Sequence, residues 1–185
     1  MGAALLTGVW AGYTSLYEGS LDAPSYQVLT REGAFELRQY DPFVIASTPL
    51  QKPQARGSNT GFRVLAGYIF GGNQPGERMP MTAPVVMARD GESLGMTVPV
   101  VTDGSKGSMA FVMPRGRTLE DLPTPRSNAV RLGDVNWGRS ATLRYNGYAT
   151  PERFAAQTAK LQRWMKAKGY QARGTPLSAQ YNSPS

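Results

Sequence analysis

The chain has 185 residues, enough for one domain whose core needs no disulfide or metal clip. It contains neither cysteine nor histidine, which excludes a disulfide framework, a thiolate metal site, and imidazole as general base or as ligand to zinc or haem iron. With 20 Lys and Arg against 13 Asp and Glu, the formal charge of +7 suits an anionic partner: a carboxylated small molecule, nucleic acid or an acidic membrane surface.

Residues 1–17 carry no charged side chain, and Ala3, Ala4, Leu5, Leu6, Val9 and Trp10 are apolar. The stretch is too short to span a bilayer. It reads either as the hydrophobic part of a signal or anchor segment without its basic leader, or as a first helix or arm packed on the domain. Residues 1–23 are therefore set apart from a domain over residues 24–185. The compartment stays open between cytoplasmic and periplasmic or membrane-anchored, and weak membrane association is assigned to residues 1–17.

Ordered patterning begins near Pro24. Tyr26, Val28 and Leu29 predict a short strand, Glu32 and Gly33 a turn, and the alternation of Phe35, Leu37 and Gln39 with Glu36, Arg38 and Tyr40 a second strand. Asp41 and Pro42 interrupt it before Phe43, Val44, Ile45 and Ala46 continue it. After a loop over residues 52–58, Ser58, Asn59 or Thr60 is the expected cap of a helix whose apolar face is Phe62, Leu65 and Ile69 with Val64 and Tyr68.

That helix runs into GGNQPGERMPMTAPV (residues 71–85), on which the chain turns. Gly71 and Gly72 accept the positive φ that ends a helix, Pro75 and Gly76 make a turn, and Met79, Met81, Ala83 and Val85 fall on one side of an extended segment. Strands are expected over 81–88, 94–101 and 109–113. The first two share a phrase, MTAPVV and MTVPVV, and the proline in each points to edge positions or bulges. A Pro-, Arg- and Thr-rich loop follows over residues 114–127.

The second half echoes the first. Strands are predicted over 130–133 and 141–145, where ATLRYNGYA parallels FELRQYDPF at residue 35. Thr150 is a fitting N-cap with Pro151 at the first helical position, and Phe154, Leu161, Trp164 and Met165 form a stripe that Gly169 stops. Short strands over 171–177 and 179–181 end the pattern. Strand, helix, strand, strand, used twice, gives an α+β fold: a curved, largely antiparallel sheet with two helices against it.

The wording is more specific than the pattern. FELRQYDPFVIAST (35–48), GFRVLAGYIFGGN (61–73), RMPMTAPV (78–85), GMTVPV (95–100), MAFVMP (109–114), LPTP (122–125) and AQYNSP (179–184), in this order, resemble the SOUL haem-binding protein family over roughly residues 24–184. The resemblance implies a distorted β-barrel built from a duplicated βαββ unit, like the gyrase-inhibitor-like effector-binding domains. It also implies non-covalent binding of a tetrapyrrole, haem above all, in a surface groove beside the first helix. In such proteins the ring is held mainly by apolar contacts and by cations facing its propionates, often without an axial histidine.

By position, Asn59, Phe62, Ala66 and Gly67 match places where haem-binding relatives carry basic or Met side chains that touch the ligand. Phe62 keeps a large apolar group, while Arg63 or Arg56 stands in for the basic character absent from Asn59 and Gly67. Wound at 3.6 residues per turn, Asn59, Phe62, Arg63, Ala66 and Phe70 fall on neighbouring sides, with Arg56 one turn earlier. Relatives also continue past the YN and Pro phrase into a last strand with an Arg, Asn, Glu run, so one sheet edge is expected to lack its neighbour here.

The reading is a non-catalytic tetrapyrrole binder serving transport, buffering or sensing. Tyr68, Met79, Met81 and Met113 are the conceivable iron ligands, although methionines in strands usually fill gaps. The alternatives are an enzyme acting on a tetrapyrrole or small ester through a groove carboxylate, for which Glu36, Asp41, Glu77 and Glu120 are scattered candidates, and an interaction module without haem binding. Arg153, Lys160, Arg163, Lys166 and Lys168 lack an accompanying phosphate loop or aromatic RNA signature and read as a solvated face, so no nucleic-acid partner is expected. Oligomeric state is left open.

Overall fold

A computed structural model describes residues 4–8, 22–50, 54–88, 107–147 and 150–181, with 4–8 and 54–58 as backbone only. Eleven strands and two helices are assigned: β1 (Ala4–Gly8), β2 (Tyr26–Glu32), β3 (Phe35–Tyr40), β4 (Phe43–Pro49), α1 (Gln54–Ile69), β5 (Asn73–Gln74), β6 (Val85–Ala88), β7 (Ser108–Val112), β8 (Thr124–Pro125), β9 (Arg131–Val135), β10 (Arg139–Tyr145), α2 (Pro151–Ala167) and β11 (Leu177–Gln180). The strand expected over 94–101 lies outside the described residues.

Nine strands form one sheet in the order β2-β3-β10-β1-β11-β6-β7-β4-β9, and β5 pairs with β8 apart from it. β3 passes into β4 across Asp41 and Pro42, as β9 passes into β10 across residues 136–138. In the β3·β10 and β4·β9 ladders the paired residue numbers add to the same total, so two long bent strands stay in one register through the bend. Tyr40 N–H donates to Gly138 O there at 2.9 Å. The indole of Trp137 packs edge-on against Tyr40 and Phe43, with ring centroids 5.3 and 4.7 Å away. The sheet thus curls around a core that includes Tyr40, Ile45, Val86, Val112 and Leu177. The mixed α+β class, the largely antiparallel sheet and the two helices agree with expectation. Among the described residues the pairing order is open, ending at β2 and β9, so the enclosure they form comes from curvature of the sheet.

Each helix covers one patch of the outer face: α1 lies on β4 and β7, and α2 on β10 and β1. Leu65, Tyr68 and Ile69 are buried under α1 with Phe111 and Met109. Phe154, Leu161 and Met165 are buried under α2 with Ala141 and Leu143, and the half-buried Trp164 stacks on Phe35 at 5.4 Å. Thr150 caps α2 by accepting from the Arg153 N–H, with Pro151 opening the helix.

α1 starts at Gln54, a turn earlier than the expected cap at Ser58, Asn59 or Thr60, so Asn59 and Thr60 lie inside the helix. Its end follows the glycines. Gly71 sits at φ +107°, and the Gly72 N–H donates to Gly67 O at 2.7 Å, so close that a Cβ on Gly72 would lie 2.6 Å from that oxygen. Asn73, fully buried, then fastens the turn. Its Nδ2 donates to Tyr68 O and Glu77 O, and its Oδ1 accepts from the Gly76 and Glu77 N–H groups, so all its polar atoms are matched.

Two smaller expectations are corrected. Residues 171–176 are not a strand, because Gly174 takes φ +129° and Pro176 has no N–H for a ladder; pairing starts only at Leu177. No bare edge stands beside β11, which pairs with β6 on one side and with β1 on the other.

Candidate functional site

The inner face of α1 is committed to the core, which leaves its outer stripe for function. Asn59, Arg63, Gly67 and Phe70 are exposed in succession, three or four residues apart, and Ala66 is half-buried beside them. Arg56 continues the stripe one turn earlier along the helix; its side chain lies outside the described residues. Phe62 belongs to the boundary: half-buried, it meets Phe111 at 5.3 Å between centroids and leans into the core. Of the seven residues predicted to contact a ligand, five therefore share one outward surface and Phe62 supports it from below.

Two features make this surface unusual for a solvated helix. A Cβ on Gly67 would meet nothing within 4 Å, so the stripe has an open shelf at mid-length. At its end Phe70 is 56% exposed, the most exposed of the large apolar side chains described. Arg78, which the sequence did not single out, comes back beside it: Phe70 and Arg78 form an isolated antiparallel bridge. Its only signal in the sequence is a cation two residues after the Pro75-Gly76 turn. Among the described residues no carboxylate is ion-paired to Arg63 or Arg78, and nearby Glu77 is bound to Arg117.

The conceivable iron ligands lie elsewhere. The Tyr68 hydroxyl donates to Pro123 O at 2.9 Å, and burial, helped by the charge of Glu77, pushes it up to about 12, which disfavours a phenolate. Met79 and Met113 are buried in the core under α1, against which Met81 also packs.

The sequence left unremarked a buried polar cluster on the concave side of β3. Glu36, Arg38 and Tyr40, the even-numbered residues, point inward, while Phe35 and Leu37 face α2. Arg38 Nε donates to Glu36 Oε2 at 2.6 Å, its Nη1 to the Tyr40 hydroxyl at 2.9 Å, and its Cζ lies 4.2 Å from the centre of the Tyr26 ring. Tyr40 in turn is hydrogen-bonded to Tyr181. Glu36 Oε1 also meets Arg31 Nε at 2.8 Å and Arg144 Nη2 at 3.6 Å. Burial alone would push the Glu36 carboxyl up, but these guanidinium groups outweigh it and hold the carboxyl below the usual carboxylate range. A carboxylate kept ionised in this way is a structural counter-ion, unlike a general acid or base poised near neutrality.

The other candidate carboxylates are not brought together: Asp41 is exposed at the β3–β4 bend and Glu120 in the loop before β8. On α2, Lys160, Arg163 and Lys166 are exposed, Arg153 donates to Asn146 O, and Lys168 is paired with Glu32. No helix among the described residues is long and apolar enough to cross a membrane.

Compared with known families, residues 21–185 match the model described as SOUL heme-binding protein. The chain belongs to the SOUL family. No curated protein sequence matches it. Membership points to haem or a related tetrapyrrole as the ligand, a flat apolar ring with two carboxylates. The α1 stripe has matching chemistry: Phe70, Ala66 and the Gly67 shelf offer a low apolar surface, and Arg63 and Arg78 supply cations at its margin.

Proposed function

We propose that this SOUL protein binds haem or a related tetrapyrrole non-covalently along the outer stripe of α1. The ring lies across Ala66, Gly67 and Phe70, its propionates turn to Arg63 and Arg78, and Arg56 and Asn59 extend the polar margin. The observation that carries this reading is Phe70, a phenyl ring left in water beside a bare glycine on a helix face without a described carboxylate. Covering it with a flat ligand stabilises the complex by about 1 kcal/mol, half of what full burial of such a side chain contributes. Each exposed guanidinium–carboxylate contact adds up to about 1 kcal/mol.

Contacts of this size give reversible binding, which suits transport, buffering or sensing. The chain offers no histidine for the iron, and axial ligation is what tunes haem reactivity toward oxygen. What the chain's own residues supply is a surface and two charges: they bind, orient and partly cover the ring.

Titration with hemin, followed in the Soret band, tests the reading. The expected result is saturation at one equivalent, with roughly fivefold weaker binding for Phe70→Ala, a loss of about 1 kcal/mol. Arg63→Glu should weaken binding further. Unsaturable adsorption, or saturable binding indifferent to both substitutions, would overturn it.

A further inference from the structure

A bulge on β2 sorts two neighbouring charges to opposite faces of the sheet. Tyr26, Gln27 and Val28 stand opposite Tyr40, Gln39 and Arg38, but Thr30 and Arg31 stand opposite Leu37 and Glu36, so Leu29 is one residue extra. Had the first register continued, Thr30 would face Glu36, and Arg31 would face Phe35 on the side of α2. The bulge reverses this. Arg31 joins Glu36 on the concave face, and Glu32 turns to α2, where it accepts from Trp164 Nε1 at 2.9 Å and pairs with Lys168. The acid next to Arg31 in sequence is thus engaged on the other face.

Three guanidinium groups consequently meet one carboxylate. Arg38, its side chain 3% exposed, takes Glu36 Oε2 and the Tyr40 hydroxyl and is enclosed. Arg31 and Arg144 reach in from β2 and β10 and share Oε1, and their side chains are 60% and 49% exposed. Among the described residues no other carboxylate is ion-paired to either of them. The cluster therefore keeps positive charge in excess, and the excess lies on its solvent side. Like charges held this close repel, and a bound anion relieves the repulsion.

An apolar strip runs up to these cations. Val28 and Tyr26, 40% and 38% exposed, share the concave side with Arg31: Val28 stands opposite Arg38, and the Tyr26 ring lies against Arg38 Cζ and 5.1 Å from the Tyr40 ring. Along the strand Val28 is roughly 10 Å from Arg31, at about 3.3 Å per residue.

We propose that Arg31 and Arg144 form a site for a small organic anion, with its carboxylate or phosphate between the two guanidinium groups and its apolar body along Val28 and Tyr26. A planar guanidinium offers paired donors that match either head group. Glu36 holds the two arms side by side and neutralises only part of their charge. The ligand class is an acid with one anionic end and an apolar body of about 10 Å. The site is distinct from the stripe on α1, which lies on β4 and β7.

The test is backbone NMR of the full chain titrated with octanoate, and separately with octylammonium, which has the same tail and the opposite charge. Octanoate should give saturable shifts at residues 26–31, Glu36, Arg38 and Arg144 that weaken as salt is raised, and octylammonium should give none there. Arg31→Gln combined with Arg144→Gln, both at exposed side chains, should weaken octanoate binding at least tenfold. Equal shifts with the two probes, octanoate binding indifferent to the double substitution, shifts centred on residues 59–70, or no saturable shifts would overturn the proposal.

Discussion

The two helices share an inner chemistry and differ on the outside. Leu65, Tyr68 and Ile69 of α1 and Leu161, Trp164 and Met165 of α2 occupy the same three helical positions and pack against the sheet in the same way. Outward, α2 shows Lys160, Arg163 and Lys166 to water, an ordinary solvated face. α1 shows a single described charge, Arg63, followed by a bare Gly67 and a half-exposed Phe70. The difference teaches that the duplicated sheet constrains only the inward residues. The outward face is free to specialise, and in the first half it has done so.

The largest effect is expected in the buried polar cluster of β3, which neither helix covers. Arg38→Ala should cost about 3–5 kcal/mol in denaturant unfolding, since it removes the buried partner of Glu36 Oε2 and of the Tyr40 hydroxyl. A cost below about 1 kcal/mol would mean that the cluster is solvated. Next, Leu65→Ala and Leu161→Ala should each cost about 2–5 kcal/mol and agree within about 1 kcal/mol, because both side chains are almost wholly buried at matching positions. A large mismatch breaks the equivalence of the halves.

The helix ends offer a finer contrast. Gly72→Ala places a methyl group against a main-chain oxygen and should cost about 2–3 kcal/mol. Gly169→Ala meets no neighbour and carries only the strain of its φ of +71°, about 1 kcal/mol. The smallest effect is in pH. The folded-state pKa of Glu36 is depressed below 4.5, so its contribution to stability is complete above that value and is lost as pH falls through the lower folded-state value. Between pH 5 and 2 the unaltered chain should lose stability more steeply than Glu36→Gln; matching slopes would contradict the ion-pair assignment.

Much of this was legible in the sequence for physical reasons. Thr150, Pro151 and Gly169 bound α2 because capping is local chemistry, and the apolar stripes on both helices follow from burial at a fixed period. The stripe Asn59, Arg63, Gly67 and Phe70 was legible once the helix was, since winding alone puts those residues on one side. The start of α1 was not, because no capping pattern marks Gln54. β3 misled differently. It alternates as a strand should, yet both of its faces are covered, and the enclosed face holds Glu36 and Arg38, which hydropathy would send to solvent. Arg78 joins Phe70 only through the turn that Asn73 fastens, and β1 comes to lie between β10 and β11 from the far end of the chain. Contacts of that kind depend on topology and leave no local trace.

The most direct measurement of the central claim is backbone NMR of the chain titrated with zinc protoporphyrin, which is diamagnetic and leaves signals sharp. Shifts at one equivalent confined to residues 59–70 and to Arg78, with α2 silent, are the predicted result. Shifts centred on Lys160, Arg163 and Lys166, or no saturable shifts at all, would contradict it.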